Sequence, residues 1–319
     1  MTRGLHVVEI PFAKFEGCGN DYVYVDLCAM PLALAELMDS DASRLAVEVS
    51  DRHFGVGSDG LVLIGSSDRA DARMHMFNAD GSRGAMCGNA LRCIAKYLGD
   101  GRLRDQAAVA LETDVGVRQA RLTRRHGEVV EVDVDMGAPS FGLETVPCQP
   151  GSALRVAPGD ERPAEVEIQL YGAPTRGLVL SMGNPHLVVF VDDVDLMHLS
   201  DVGPPLETAR MFPDRVNVEF VEVRGDSLRQ RTWERGAGET LGCGSGACAV
   251  AVAAVALGYV GRGTRARVEL RGGDLGIAWA KTGAVHMRGT CRLVFTGTYR
   301  YGSPAGDSRR GIRENDPSA

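Results

Sequence analysis

The sequence predicts an α+β fold built from two similar halves. Short segments in which apolar and polar residues alternate recur along the whole chain, and this period-two alternation is typical of β-strands with one buried face. Helical patterns are few, which favours an α+β fold over a doubly wound parallel sheet. Two short motifs occur twice, in the same order and at nearly the same offset along the chain. This repetition predicts two pseudo-symmetric domains that face each other.

The predicted strands follow one another from residue 22 to residue 295. In the clearest of them, at 130–134, valines alternate with acidic residues. Longer alternating segments lie at 216–223 and 228–233. Shorter segments of the same type predict further strands at 22–25, 61–64, 73–77, 187–191, 268–270 and 292–295.

Three segments are predicted as helices. The first covers residues 34–49. The second carries an apolar stripe between Leu91 and Leu98 and ends at Gly99, since glycine commonly terminates helices. The third covers residues 247–257 and consists mainly of alanine and valine. Its composition predicts a helix that is buried inside the protein.

A stretch rich in proline and glycine, at 137–177, divides the two predicted domains. Such a stretch is typical of a chain that crosses from one domain to the next. We assign residues 1–135 and 290–302 to the N-terminal domain and residues 136–289 to the C-terminal domain. The tail at 303–319 is polar and charged, and this composition predicts disorder.

Composition limits the classes of function. The chain has 319 residues, of which 44% are hydrophobic, and a formal net charge of −7. The acidic balance argues against a nucleic-acid partner, because nucleic-acid binders usually present a basic face. No signal-peptide pattern and no apolar stretch of membrane-spanning length stands out, so we expect no membrane partner. Eight cysteines in a chain of this length predict free thiols in a reducing cytoplasm.

The repeated motifs place two cysteines before predicted helices. Gly19-Asn20 corresponds to Gly183-Asn184, and Cys87-Gly88-Asn89 corresponds to Cys243-Gly244-Ser245. Unpaired backbone N–H groups at a helix start favour negative charge, so they lower the pKa of a thiol and can hold a carboxylate. If the halves face each other, two thiols lie on opposite sides of one cleft.

Two opposed thiols suit the inversion of an amino acid α-carbon. One thiol removes a proton from one face while the other delivers a proton to the opposite face, and their roles exchange with the direction of reaction. The sequence contains no Cys-x-x-Cys pair of the kind that would indicate a metal site. A pyridoxal cofactor needs a lysine in a suitable loop, which is not the setting of Lys14, Lys96 or Lys281. We therefore expect a mechanism without metal or cofactor.

Seven motifs together resemble those of the diaminopimelate epimerase family. They span residues 12–295 and comprise KFEGCGNDYVYVD at 14–26, DRHFGVGSDG at 51–60, FNADG at 77–81, MCGNALRC at 86–93, SMGNPH at 181–186, RVNVE at 215–219 and ERGAGETLGCGSGA at 234–247. The resemblance implies that each domain is a mostly antiparallel sheet wrapped around a central helix, with the active site in the cleft between the domains. It also implies a homodimer.

The resemblance assigns roles to individual residues. Cys87 and Cys243 match the two catalytic cysteines, and His186 and Glu234 match residues that help to deprotonate the thiols. Asn20, like Glu234, matches a residue at the reacting centre. The loop positions whose backbone groups hold the reacting carboxylate are Gly88, Asn89, Gly244 and Ser245. The positions that grip the distal, non-reacting centre of the substrate are Asn78, Asn184, Asn217 and Arg235.

The function implied by the resemblance is that of a pyridoxal-independent epimerase. It would interconvert LL- and meso-2,6-diaminopimelate for lysine and peptidoglycan biosynthesis. A racemase of another amino acid, such as histidine, is the alternative enzyme, but such a substrate would have little use for the distal asparagines and Arg235. A non-catalytic thiol-redox or binding protein is the alternative of a different class. It predicts no exchange of a substrate α-hydrogen.

Overall fold

Five α-helices and eighteen strands form the part of the chain that this computed structural model describes, residues 7–141, 145–149 and 162–302. The first half of the chain contains β1 (Val8–Gly17), β2 (Asn20–Asp26), α1 (Leu32–Ser40), α2 (Ala42–Ser50), β3 (Gly60–Gly65), β4 (Ala72–Asn78), β5 (Arg83–Gly84), α3 (Gly88–Asp100), β6 (Ala108–Thr113), β7 (Gly116–Arg125) and β8 (Glu128–Asp135). The second half contains β9 (Ala164–Leu170), β10 (Ala173–Ser181), β11 (Pro185–Phe190), α4 (Leu199–Glu207), β12 (Asn217–Arg224), β13 (Ser227–Glu234), β14 (Gly238–Thr240), α5 (Gly244–Ala256), β15 (Arg265–Leu270), β16 (Gly273–Trp279), β17 (Val285–Gly289) and β18 (Arg292–Tyr301).

The strands pair in one continuous order that repeats itself in the two halves. It runs β18-β1-β2-β3-β4-β6-β7-β8 and continues as β17-β16-β15-β13-β12-β11-β10-β9. The parallel pairs β2–β3 and β4–β6 have parallel counterparts in β11–β12 and β13–β15, and the remaining pairs are antiparallel. This repetition confirms the predicted α+β fold with two pseudo-symmetric halves.

Each half folds its sheet around one central helix. α3 packs against β1, β6, β7 and β8, whereas α5 packs against β10 to β13 and β15 to β17. α3 buries Leu91, Ile94 and Leu98, the residues of the predicted stripe. α5 is buried on nearly all sides, as its alanine and valine content predicts. The two helices also contact each other, so one apolar core surrounds both.

One helical prediction needs correction, and one helix was not predicted. The helix predicted at 34–49 is two helices, because the chain leaves the helical conformation at Asp41, where φ is −112° and ψ is 16°. α4 is not apparent from sequence because it contains Pro204 and Pro205, and proline normally interrupts a helix. α4 nevertheless packs its buried Leu206 inward, and Gly203 makes room for the Trp233 ring, which would lie 2.4 Å from an added Cβ.

The stretch at 137–177 is more regular than its proline and glycine content indicates. β9 and β10 form an antiparallel hairpin within and beyond it, in which Val166 and Ile168 are buried. Residues 142–144 and 150–161 of this stretch, and the predicted tail at 303–319, lie outside the described residues. The domain boundaries at 135 and 290 stay a prediction, although β8 pairs with β17 where the halves join and β18 returns to pair with β1.

Candidate active site

The two repeated cysteines occupy equivalent positions at the starts of the two central helices. Cys87 is the N-cap residue of α3 and Cys243 is the N-cap residue of α5, both with an extended backbone. The helix starts converge on Met287: an added Cβ would lie 2.5 Å from its Cε at Gly88 and 3.1 Å from its Sδ at Gly244. A side chain at either position would require Met287 to move, which glycine avoids.

Burial, and not the helix starts, sets the pKa of both thiols. Burial raises the pKa of Cys87, opposed by the backbone N–H groups of Ala90 and Asn89. Burial also raises the pKa of Cys243 well above its usual value, and the nearby carboxylates of Glu234 and Glu219 raise it further. The backbone N–H groups at the helix starts lower the pKa of these thiols, as expected, but removal from water outweighs them.

Glu234 lies beside Cys243 at the end of β13. Its Oε1 accepts a hydrogen bond of 2.6 Å from the Thr240 hydroxyl. Burial raises the pKa of Glu234, while the Thr240 hydroxyl and the Cys243 thiol act in the opposite direction. A carboxylate with a raised pKa next to a thiol with a raised pKa is suited to exchange a proton with it.

His186 lies in a buried polar chain. Its Nδ1 is 2.8 Å from Oε1 of Glu219 and its Nε2 is 2.9 Å from Oδ1 of Asn184. His186 and Glu219 are fully buried. Both ring nitrogens therefore face oxygens, and within the described residues His186 forms no hydrogen bond to a thiol. The geometry ties His186 to the orientation of Asn184.

The remaining predicted residues divide into free and engaged side chains. The buried Asn89 keeps its Oδ1 without a hydrogen-bond partner among the described residues, close to Gly244. Ser245 Oγ lies 3.4 Å from Cys243 Sγ. The side chain of Asn217, in contrast, donates to the Pro185 carbonyl and accepts from the backbone N–H of Arg235. Asn217 thus holds the start of the loop that carries Arg235.

A cleft of about 1010 Å³ opens beside these residues. Four of the predicted site residues line it, namely Asn20, Asn78, Glu234 and Arg235. The thiols are not part of its wall; Cys87 Sγ lies 3.5 Å from Asn20 Oδ1, and Cys243 lies next to Glu234. Asn20 and Glu234 therefore lie between the cleft and the two thiols, Asn20 beside Cys87 and Glu234 beside Cys243.

Three further residues of the site were not predicted from the sequence, namely Arg52, Asp59 and Glu219. Arg52 and Asp59 line the cleft, and Glu219 contacts His186. All three stand inside the motifs DRHFGVGSDG and RVNVE, which carry the family resemblance. The motif itself was the available signal, because neither hydrophobic pattern nor local spacing distinguishes these three side chains.

Other features of the described residues bear on the site. All eight cysteines are free. No group of histidine, cysteine or acidic side chains in the described ranges has an arrangement that could hold a metal ion. Among the described helices, none has the length and apolar character required to cross a membrane.

Comparison with known proteins identifies the family. The family model described as diaminopimelate epimerase matches residues 12–142 and 178–294. A diaminopimelate epimerase of Parabacteroides distasonis is 47% identical over 290 residues, which cover 90% of this chain and 97% of that protein. A diaminopimelate epimerase of Methanococcus maripaludis strain C5 is 43% identical over 289 residues, which cover 90% of this chain and 98% of that protein.

Solved structures share the fold at much lower identity. A hydroxyproline epimerase from Agrobacterium vitis, with bound trans-4-hydroxy-L-proline, superposes with a TM-score of 0.64 at 16% identity, covering 93% of this chain and 94% of that chain. A Bacillus anthracis phenazine biosynthesis protein of the PhzF family gives a TM-score of 0.64 at 16% identity, covering 92% and 99%. These likenesses concern the fold alone, whereas the family match spans most of the sequence. This chain belongs to the diaminopimelate epimerase family.

Proposed function

We propose that this protein interconverts LL- and meso-2,6-diaminopimelate by a two-base mechanism, in support of lysine and peptidoglycan biosynthesis. The observation that carries the proposal is the paired placement of Cys87 and Cys243 at two helix starts that converge on Met287. The relatives of this protein that are named diaminopimelate epimerase match 90% of its chain, which supports the proposal.

The reaction inverts one α-carbon of the substrate. The thiolate of one cysteine removes the α-proton, and the thiol of the other donates a proton to the opposite face. The negative charge that develops on the substrate carboxylate is stabilised by the backbone N–H groups at the starts of α3 and α5. The free Oδ1 of Asn89 lies at the same place, where it can accept from the substrate ammonium group. No metal or cofactor is assigned a step.

Glu234 supplies the route for the proton of Cys243. The carboxylate takes the thiol proton before the reaction and returns it afterwards. The raised pKa of Glu234 makes it a stronger proton acceptor, which partly offsets the high pKa of Cys243. We place His186 behind Asn184, where it fixes that amide; direct deprotonation of a thiol by His186 would require one of its two hydrogen bonds to break.

The distal half of the substrate lies in the cleft. Arg235 and Asn78 line it and present the charged and polar groups that a second carboxylate and ammonium require. Asn217 fixes the backbone of Arg235. Histidine or another substrate without a distal amino acid centre would leave these groups unpaired, which is costly in a partly enclosed site. This distal set favours diaminopimelate.

The decisive experiment is incubation with LL-diaminopimelate in deuterated water, followed by NMR of the α-proton. We expect exchange of the α-proton and formation of the meso isomer. Cys87→Ser and Cys243→Ser should each slow epimerisation by at least about 100-fold, since each removes an acid–base group. Cys28→Ser, at an exposed thiol outside the cleft, is the matched control.

The two alternative functions give different results in the same experiment. Exchange with histidine but none with diaminopimelate would favour the racemase and refute the assigned substrate. Absence of exchange with any amino acid would favour a thiol-redox or binding protein. Full activity in either Cys87→Ser or Cys243→Ser would refute the two-thiol mechanism.

We further propose that the protein is a cytoplasmic homodimer. The eight free thiols fit a reducing compartment. β18 pairs only with β1 among the described strands, so its other edge is unpaired. Leu293, Val294 and Phe295 on this edge are each 44% exposed. An apolar, unpaired edge strand is suited to pair with the same strand of a second copy about a two-fold axis.

A further inference from the structure

Asp59 stands in the wall of the cleft without an assigned role. It directly precedes β3, which runs parallel to β2. Parallel pairing brings Asp59 to the same sheet edge as Asn20 and Asp21 at the start of β2. The backbone N–H of Asp59 donates to the Asp21 carbonyl at 2.7 Å, and the backbone N–H of Asp21 donates to Asp59 Oδ2 at 3.0 Å.

The carboxylate of Asp59 is held from its other side by Arg52. Nη2 of Arg52 lies 2.9 Å from Asp59 Oδ1 and 2.9 Å from Asp21 Oδ1. Lys14 Nζ lies 2.7 Å from Asp21 Oδ2 and holds that carboxylate in turn. Arg52 and the backbone contacts therefore hold the Asp59 carboxylate in place, and Lys14 supports it only through Asp21.

Asn20 connects this carboxylate to a catalytic thiol. Its Nδ2 donates to Asp59 Oδ2 at 2.8 Å, and its Oδ1 accepts from Cys87 Sγ at 3.5 Å. An ionised carboxylate can only accept hydrogen bonds, so the amide nitrogen has to face Asp59. The amide oxygen must then face the sulfur. Asp59 thereby decides which end of Asn20 the thiol meets.

We propose that Asp59 is a positioning residue that holds Asn20 with its amide oxygen toward Cys87. An oxygen acceptor stabilises the S–H form of Cys87 and repels the thiolate. Cys87 is therefore kept protonated as the acid, and once deprotonated it is a stronger base. The consequence for catalysis rests on the proposed function, whereas the effect on the thiol itself does not.

Other charged and titratable groups also act on Cys87. Glu234, in β13, raises the pKa of this thiol, and Arg92, in α3, lowers it. Burial has a larger effect on the pKa than either charge. Tyr22 and Tyr24 of β2 also lie within electrostatic range of the sulfur. Tyr22 also has a hydrogen-bond interaction with the Asn20 side chain, so it responds to the same rotation. Burial, Glu234 and Arg92 act as a constant background in a comparison of Asp59 variants.

The test measures the pH dependence of Cys87 alkylation by iodoacetamide. Trypsin releases residues 84–92 as a peptide whose single cysteine is Cys87, so mass spectrometry follows this thiol alone. In Asp59→Ala the amide of Asn20 is free to rotate and donate to the sulfur. The alkylation pKa should then fall by about one unit, with roughly tenfold faster alkylation at neutral pH. Asp59→Asn, which preserves the side-chain shape, should shift it in the same direction.

A double-mutant cycle separates positioning from plain electrostatics. In an Asn20→Ala background, Asp59→Ala should shift the alkylation pKa of Cys87 by much less than in the wild-type background. An equal shift in both backgrounds would mean that Asp59 acts through its charge alone and would overturn the proposal. An unshifted pKa in folded Asp59→Ala and Asp59→Asn, as judged by circular dichroism, would overturn it as well.

Epimerisation provides an independent readout. Asp59→Ala should lower kcat, because the amide oxygen of Asn20 is no longer held toward Cys87. If no variant, including the wild type, exchanges the α-proton of diaminopimelate while the alkylation pKa still shifts, the proposed function fails and the positioning role of Asp59 stands.

Discussion

At the residue scale, the chemistry of the site depends on where water is excluded. The sequence places Cys87 and Cys243 at helix starts, which taken alone would stabilise thiolates. Burial reverses this net effect on both pKa values. We therefore propose that neighbouring groups control each proton, Glu234 at Cys243 and Asn20 with Asp59 at Cys87.

The raised pKa of Glu234 predicts the acidic side of the pH–rate profile. Glu234 must be ionised to accept the Cys243 proton, so kcat/KM should fall as the pH drops through a pKa that lies above the ordinary 4.5. In Glu234→Gln this acidic limb should disappear and the plateau should fall by about 100-fold. Measurement of kcat/KM from pH 5 to pH 10 tests this; an unaltered acidic limb in Glu234→Gln would contradict the assigned role.

Glu219 shows why some site residues resist prediction. It lies in β12, which is buried on both faces over most of its length, and β12 pairs in parallel with β11. A parallel strand that is covered on both sides lacks a polar face. The polar–apolar pattern of the sequence therefore cannot show whether a glutamate in such a strand is buried or points to solvent. Its contact with His186 emerges only when β11 and β12 are side by side.

At the element scale, the start of α5 is built around a glycine. The backbone N–H of Gly246 donates to Cys243 Sγ at 3.3 Å. An added Cβ at Gly246 would lie 2.6 Å from Glu219 Oε1 and 3.1 Å from Gln230 Nε2. The helix start, the Cys243 thiol and the buried Glu219 are therefore packed tightly against one another.

Gly246→Ala should destabilise the protein and impair catalysis together. We expect a loss of about 1–3 kcal/mol in the free energy of unfolding, because the methyl group displaces Glu219 in a packed interior. Urea denaturation measures the loss. Gly65→Ala, where the nearest atom to an added Cβ is 3.8 Å away, is the matched control. Unchanged stability in Gly246→Ala would show that this helix start tolerates a side chain.

At the scale of the whole molecule, the two halves differ in how their outer strands are covered. β9 and β18 hold equivalent positions, since β9 pairs with β10 as β18 pairs with β1. Val166 and Ile168 of β9 are buried in a core that includes Val146 and Cys148. The start of β18 has no such cover among the described residues, which is why we assign it to the dimer interface.

Phe295→Arg should convert the proposed dimer into a monomer. A charged side chain on the self-pairing edge places like charges near the two-fold axis and removes apolar contact. Light scattering coupled to size-exclusion chromatography measures the mass of the particle. Leu196→Arg, at a residue 75% exposed away from this edge, is the control and should leave the mass unchanged. A wild-type monomer, or a dimer that persists in Phe295→Arg, would refute the assigned interface.

The fold class, the two-fold repetition and the cysteine pair can be predicted from local sequence signals. Strand alternation and repeated motifs are local signals, and both survive in the structure because each half folds the same pattern around its own helix. Two features were not predicted. α4 forms despite its prolines because it packs against Trp233, and the helix breaks at Asp41 because the chain turns there between α1 and α2.

The groups that set the pKa values of the two thiols come together only in the folded protein. The raised pKa values of Cys87 and Cys243, the burial of Glu219 and the contact from Asp59 through Asn20 all join residues from distant parts of the chain. Burial and hydrogen-bond direction are properties of assembled surroundings, and no local segment contains them. The sequence therefore points to the two proposed acid–base groups, whereas the fold supplies the surroundings that determine the proton each one holds.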